Sequence, residues 1–416
     1  MSPTYEKTST SPVNIAVIKY WGKRDTALIL PTNSSLSVTL SQEHLRSKTT
    51  IRASPDFEKT RLWLNGVEET DLTKNKRLQN CLRETRRLRE EHEKKLCKEI
   101  GTENVVPLSK YNVHICSENN FPTAAGLASS ASGFACLVYT LAQLYELPVS
   151  TTELSKIARQ GSGSACRSLF GGFVAWEMGS QVDGSDSQAI QIAPKDYWPE
   201  LEALICVVSD AKKGTSSTEG MQNTFTTSPL LQHRIKHVVP ERMKSMTEAI
   251  LKRDFQQFAE ITMRDSNQFH AVCLDTFPPI FYLNDVSRAI IRVITEYNTC
   301  SESGKLKAAY TFDAGPNAVI YTLRENVPEI INIIAKFFPG DVENGKEYFT
   351  DPYQLFSGSI IGTKTLPQGF NEQIIPVHAP GSVKQILHTK VGDGPQELTG
   401  ETDSLLNEHG WPKRLA

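Results

Sequence analysis

The amino-acid sequence predicts an α+β fold in two domains, and three observations lead there. Short strand-like runs and longer helical periodicities are mixed irregularly instead of repeating as strand–helix units, which argues against a doubly wound parallel sheet. The chain has 416 residues, and a prior of roughly 150 residues per domain allows two or three domains. Beyond residue 200 the pattern shifts toward helices, which places a boundary there. The expected layout is an N-terminal domain over 1–200, a C-terminal domain over 201–385 and a polar, irregular tail over 386–416.

The elements follow from local pattern. "VNIAVIKY" (13–20), "SLSVTL" and "KTTIRA" (48–53) read as strands, and "LWLNGV" carries an Asn-Gly turn suited to a hairpin. A helix is expected over "NKRLQNCLRETRRLREEHEKKLCKEI", where Leu78, Cys81, Leu82, Thr85, Leu88, His92 and Leu96 recur at three- and four-residue steps. The charges between them are of mixed sign, as on a solvated face rather than a nucleic-acid helix. "KYNVHICS" (110–117) is strand-like, and 129–147 is an apolar helix stopped by Pro148. A helix follows with Thr151 and Thr152 as caps, then a Gly- and Ser-rich loop over 161–172, the strand "GFVAWEM", a turn over 179–187 and a buried strand over 203–210. Helices over 228–251, 254–272 and 284–299, the strand pair "AAYTFDAG" and "NAVIYTL", and a helix near 325–337 complete the reading.

Composition narrows the function. The formal net charge is -2 and the pI about 6.5, so neither nucleic acid nor an acidic membrane is the expected partner. The eight cysteines show no C-x-x-C spacing and read as reduced, partly buried thiols. "MSPTYEKTST" lacks the basic start and apolar run of a signal peptide, and no apolar run approaches a membrane span. The expectation is a cytoplasmic protein. His233 and His237 lie four apart in "HRIKH" but lack the Glu of a zinc helix, so they read as surface histidines.

Four segments share a chemistry. "NNFPTAAGLASSAS" (119–132) is a nearly bare strand-to-helix turn ending in two serines. A helix start carries unpaired N–H groups and partial positive charge, and small residues let a phosphate approach them. The loop lacks the Gly-Lys-Ser/Thr ending of a P-loop, so any cradle here is of another kind. "SGSACR" sets two hydroxyls beside Arg167, "SDAKKGTSSTEGM" sets Lys212 and Lys213 beside further hydroxyls, and "IKYWGKRD" clusters Lys19, Lys23 and Arg24 around an aromatic pair. On a slightly acidic chain, such clusters point to one or two polyanionic ligands.

Together with "LPTNSSLSVTL", "NKRLQNCLRE", "GSGSACRSLFGG" and "TFDAGPNAV", these segments resemble the mevalonate diphosphate decarboxylases. That family belongs to the superfamily of galactokinase, homoserine kinase, mevalonate kinase and phosphomevalonate kinase. The resemblance runs from residue 14 to about 319 and extends to "HTKVGDGPQ". It implies two α+β domains with the site in the cleft between them, a homodimer, and ATP with magnesium. The implied reaction is phosphorylation of the tertiary hydroxyl of mevalonate diphosphate, followed by loss of phosphate and carbon dioxide to give isopentenyl diphosphate. Substrate and ATP bring roughly eight negative charges, which calls for concentrated cations and N–H donors.

Carried over by position, the resemblance puts Tyr20, Trp21, Gly22 and Lys23 on the substrate, with Arg77 on its diphosphate. Ser162, Gly163, Ser164 and Arg167 would hold its diphosphate and carboxylate ends. Ala125, Gly126, Leu127, Ala128, Ser129 and Ser130 would line the ATP phosphates, with Ser130 a magnesium contact. Lys212, Lys213, Ser217 and Thr218 would close the opposite wall. Asp313 would take the hydroxyl proton, with Lys19 and Arg167 beside it and Asn14 orienting the group. Ala128 stands where many of the superfamily's kinases carry Gly. A rival reading is a kinase of the same superfamily that stops at phosphorylation.

Overall fold

A computed structural model describes residues 3–121, 129–209, 214–301, 304–341, 348–353, 366–400 and 402–415. Among them nine α-helices are used below: α1 (Lys76–Ile100), α2 (Ser129–Leu144), α3 (Thr151–Gly161), α4 (Ser217–Thr227), α5 (Pro229–His233), α6 (Val239–Lys252), α7 (Phe255–Asp275), α8 (Asp285–Thr299) and α9 (Val327–Phe337).

Three main sheets organise the chain. The first runs in the order Gln396–Leu398, Tyr5–Pro12, Arg46–Ser54, Asn112–Asn119, Arg61–Leu64, Val67–Glu68. The expected Asn-Gly hairpin is present, with φ of 48° at Asn65 and 82° at Gly66. Ile51, Leu62 and Ile115 of this sheet pack on Leu78 of α1, Leu141 of α2 and Ile157 of α3. The second sheet is Ala189–Ala193, Phe173–Trp176, Ser35–Thr39, Asn14–Ile18. The third is Ala308–Phe312, Ala318–Leu323, Leu201–Val207, Gln385–Lys390, Phe349–Thr350, with α8 and α9 packed on it.

One apolar cluster joins the two halves: Val17, Val38 and Phe173 from the second sheet meet Ile250 of α6, Phe258 of α7, and Ile205 and Tyr321 of the third. A contact that apolar holds the halves in fixed register, unlike the polar interfaces that let domains swing.

Several expectations change. The irregular tail is instead structural. Gln385–Lys390 is an inner strand, antiparallel to Leu201–Val207 and parallel to Phe349–Thr350. Its polar look misled because His388 is buried between carboxylates, with Nε2 2.7 Å from Glu202 Oε2 and Nδ1 3.0 Å from Asp351 Oδ1. Gln396–Leu398 then pairs with Tyr5–Pro12, and Lys48 and Arg52 hold Asp403 and the carbonyls of Asn407 and Glu408. The buried face of α1 leaves the Leu88–His92–Leu96 row after Thr85 and follows Arg89 and Glu93, which pair at 2.9 Å. Ser150, not Thr151 or Thr152, caps α3. Residues 163–169 of the expected loop form a 3-10 helix.

Candidate active site

Asn14–Ile18 is buried along its whole length, so the residues that follow it leave the sheet from a fixed point. Lys19, Tyr20, Trp21 and Lys23 enter a cavity of about 170 Å³. Arg77 from the first turn of α1, Ser130 from the first turn of α2, and Ser217 and Thr218 from the first turn of α4 face the same cavity. So do Asn14, Ser162, Gly163, Ser164, Arg167 and Asp313. Segments far apart in sequence therefore share one hollow. Two helix starts, α2 and α4, direct their partial positive charge into it.

Among the described residues, four cations line the cavity (Lys19, Lys23, Arg77 and Arg167) against one carboxylate, Asp313. Lys19 Nζ donates to Asp313 Oδ1 at 2.7 Å; the Lys19 side chain is 3% exposed and that of Asp313 26%. Arg167 is buried and held by neutral acceptors: Nε to Asn14 Oδ1 at 3.2 Å and Ser37 Oγ at 2.9 Å, Nη1 to Ser35 Oγ at 2.6 Å, and Nη2 to Ser164 Oγ at 2.9 Å. Among the described residues no carboxylate lies within ion-pair distance of it. Burial lowers the proton affinity of this guanidinium, yet arginine stays charged in proteins. A buried cation with only neutral partners is a site prepared for an anion.

The remaining walls explain themselves locally. Burial, reinforced by Arg77, pulls the Lys23 ammonium down to about 8. Arg77 Nη2 donates to Thr218 Oγ1 at 2.7 Å, so α1 and α4 are tied across the cavity. Trp21 is both core and lining: its ring meets Phe269 and Tyr282 edge-on and Nε1 donates to Thr224 Oγ1 at 3.0 Å. Tyr20 packs on Trp176 with ring centroids 4.6 Å apart, and burial raises its phenol, which stays neutral. A Cβ on Gly163 would lie 2.8 Å from both of those rings, so only glycine lets the chain pass there.

Two site expectations need placing differently. Gly22 does not line the cavity; with φ of 95° and Thr32 Oγ1 2.6 Å from where a Cβ would stand, it shapes the turn behind it. Ser129 lines a neighbouring apolar cavity of about 260 Å³ that meets the first at Ser130. Ala125, Gly126, Leu127, Ala128, Lys212 and Lys213 lie outside the described residues. The rings of His233 and His237 lie with centroids 5.1 Å apart, tilted by 35°, and among the described residues no group of three or more His, Cys, Asp or Glu could hold a metal ion.

Sequence reasoning missed the contribution of α7. Phe269 lines the cavity. His270 is pushed down to about 3 by burial and then by Lys19, so it adds no charge beside Asp313. The signal was available: Asp265, Ser266 and His270 are polar residues on the buried face of an amphipathic helix, where polar groups persist only with partners.

A basic, hydroxyl-rich hollow between α+β halves, with helix starts aimed into it, is suited to phosphate-bearing ligands, as the resemblance to the small-molecule kinase superfamily implies. Comparison with known proteins narrows that class. Residues 11–189 match the model of the diphosphomevalonate decarboxylase-like N-terminal domain, and residues 203–398 that of the mevalonate 5-diphosphate decarboxylase C-terminal domain. The diphosphomevalonate decarboxylase of Ganoderma lucidum is 61% identical over 411 residues, spanning 98% of this chain and 99% of its own. The solved mevalonate diphosphate decarboxylase of Trypanosoma brucei is 40% identical, with a TM-score of 0.84 over 97% of this chain and 100% of its own. A further structure, of MDDEF in complex with MVAPP, AMPPCP and magnesium, is 27% identical with a TM-score of 0.70, over 96% of this chain and 100% of its own. The chain belongs to the mevalonate diphosphate decarboxylase family.

Proposed function

We infer that the protein catalyses the ATP-dependent decarboxylation of mevalonate diphosphate to isopentenyl diphosphate, with release of ADP, phosphate and carbon dioxide, and that the cavity around Arg167 is where it does so. The observation that carries the reading is the placing of a buried guanidinium with only neutral partners in the same hollow as the Lys19–Asp313 pair.

The roles follow from the chemistry. The substrate's tertiary hydroxyl loses its proton to Asp313 while its oxygen bonds to the terminal phosphorus of ATP, and the bond from that phosphorus to the ADP oxygen breaks. The original bond from the tertiary carbon to that oxygen then breaks, and phosphate leaves with the electron pair. The bond to the carboxylate carbon supplies electrons for the new double bond, and carbon dioxide departs. Phosphoryl transfer of this kind depends more on positioning and charge stabilisation than on a strong base. Arg167 and Lys19 stabilise the departing phosphate. Lys23, Arg77, Ser162 and Ser164 hold the diphosphate, Ser217 and Thr218 face it from the α4 start, and Asn14 orients Arg167.

ATP would set its phosphates against the α2 start at Ser129 and Ser130. Its base would fill the neighbouring apolar cavity, lined by Leu62, Ile115, Phe134 and Leu137. The sparse carboxylates suit magnesium, which keeps few protein ligands when phosphate oxygens hold it. The Ser130 hydroxyl would be its protein contact, and the ion would neutralise phosphate charge. A homodimer and a cytoplasmic location belong to the same proposal.

Incubation with ATP, magnesium and carboxyl-labelled mevalonate diphosphate tests the reaction: labelled carbon dioxide is expected in step with ADP. A phosphorylated product that keeps its carboxylate would make the protein a kinase instead.

Two further outcomes are expected. Lys23 is cationic below about pH 8 in the free protein and loses that charge above it, while a bound polyanion favours the charged form. KM for mevalonate diphosphate is therefore flat from pH 6 to 7 and rises several-fold by about pH 9, and Lys23→Met shows a higher KM without that rise. Ser130→Ala removes a hydroxyl from the ATP side. It raises KM for ATP by about tenfold and leaves KM for mevalonate diphosphate within about twofold; steady-state kinetics with each substrate varied in turn reads both.

A further inference from the structure

The Lys19–Asp313 pair does not hold itself in place. The Lys19 N–H donates to Asp265 Oδ2 at 2.7 Å, and the Lys19 carbonyl accepts from Arg234 Nη2 at 3.1 Å and Asn33 Nδ2 at 3.0 Å. Both main-chain groups of that residue are therefore fixed from outside its own strand. Arg234 and Asp265 are fully buried and joined by two parallel bonds, Nη1 to Oδ1 at 2.8 Å and Nη2 to Oδ2 at 2.9 Å. Arg242 adds a third, to Oδ1, at 2.9 Å. The next residue along α7 serves the other partner. Ser266 Oγ accepts the N–H of Phe312 at 3.0 Å, and Phe312 precedes Asp313. Consecutive residues of one helix thus grip the backbone at Lys19 and the backbone entering Asp313.

Stability does not account for this arrangement. Two charges taken wholly out of water cost much of what their attraction returns, and apolar side chains of similar volume stabilise as well or better. A bidentate Arg–carboxylate fork does supply fixed geometry. Burial alone would raise the Asp265 carboxyl, but Arg234, the Lys19 N–H and Arg242 outweigh it and keep the group charged. The nearby His270 is neutral, so it brings no competing cation to the pair.

We propose that Asp265, Arg234 and Ser266 are positioning residues for the transfer step, with α7 as the gauge that sets the spacing of Lys19 and Asp313. The proposal rests on the roles given above to those two residues. It requires no contact between α7's polar residues and either substrate, so their loss acts on turnover and not on binding.

Two variants of the full-length protein test it. Ser266→Ala deletes one oxygen atom. Arg234→Lys keeps the charge facing Asp265 but cannot reach that carboxylate and the Lys19 carbonyl together. Displacements of well under 1 Å at the reacting groups should lower kcat by about tenfold for Ser266→Ala and about thirtyfold for Arg234→Lys. KM for both substrates stays within about threefold, with rates normalised to the folded fraction by circular dichroism. A normal kcat per folded molecule in Ser266→Ala overturns the proposal, as does a change confined to KM. If Arg234→Lys does not fold, Ser266→Ala decides alone. Asp313→Asn measured alongside separates the two levels. Activity in that variant removes the underlying roles, whereas an inactive Asp313→Asn beside fully active Ser266→Ala removes only the positioning.

Discussion

Asp313→Asn is expected to lower kcat by about 10³-fold, within the range for loss of a positioned proton acceptor. The amide keeps the shape of the carboxylate but can neither take the hydroxyl proton nor balance Lys19, whose ammonium lies 2.7 Å away and is almost wholly buried. KM for ATP is expected within about twofold, since no ATP-side group is touched. Thermal stability falls as well, because a buried ammonium loses its partner. Rapid-quench turnover and a melting curve read the two effects separately. A kcat within tenfold of the parent would remove Asp313 from the proton transfer.

Arg167→Gln gives the contrasting outcome. Here kcat/KM for mevalonate diphosphate falls by about 10³-fold, the scale on which a preorganised charge-stabilising donor acts. Yet the melting temperature holds or rises. The parent guanidinium is buried among Asn14, Ser35, Ser37 and Ser164 with no carboxylate at ion-pair distance among the described residues, so the free protein carries an uncompensated charge. A neutral amide relieves it, and the serine hydroxyls can turn to donate or accept. A variant as stable as the parent but nearly inactive marks a charge kept for the ligand. A melting temperature lowered in proportion to the lost activity would instead make Arg167 a structural residue.

How much of this was legible in the sequence depends on the kind of signal. Lys19 and Arg167 sit in short segments whose composition announces them, Asp313 is picked out by the family resemblance alone, and all three meet in one cavity. The Asn65–Gly66 hairpin and the apolar face of α2 also follow from local chemistry. Residues whose polarity is satisfied by distant partners could not be read this way. The first strand, "YEKTSTSP", looks like loop, yet Ser9 and Ser11 are buried and Thr8 bonds Thr50 at 2.9 Å. His388 made an inner strand look like tail because Glu202 and Asp351 lie far from it in sequence. Arg89 and Glu93 turned the buried face of α1 because Tyr145, Val106 and Ser109 offer them main-chain and hydroxyl partners. Asp265 could be singled out as a polar residue on the buried face of α7, but not its partners, which come from residues 19, 234 and 242.

The placing of residues 385–398 bears on how the chain acquires its structure. An inner strand of the third sheet and an edge strand of the first are both drawn from this late stretch. While the polypeptide is being synthesised, Leu201–Val207 waits with one flank bare and Tyr5–Pro12 waits with another, since their partners lie much further along the chain. Neither sheet is finished until this stretch has been made, and a nascent chain halted before residue 385 would present two unpaired strand edges to the quality-control machinery.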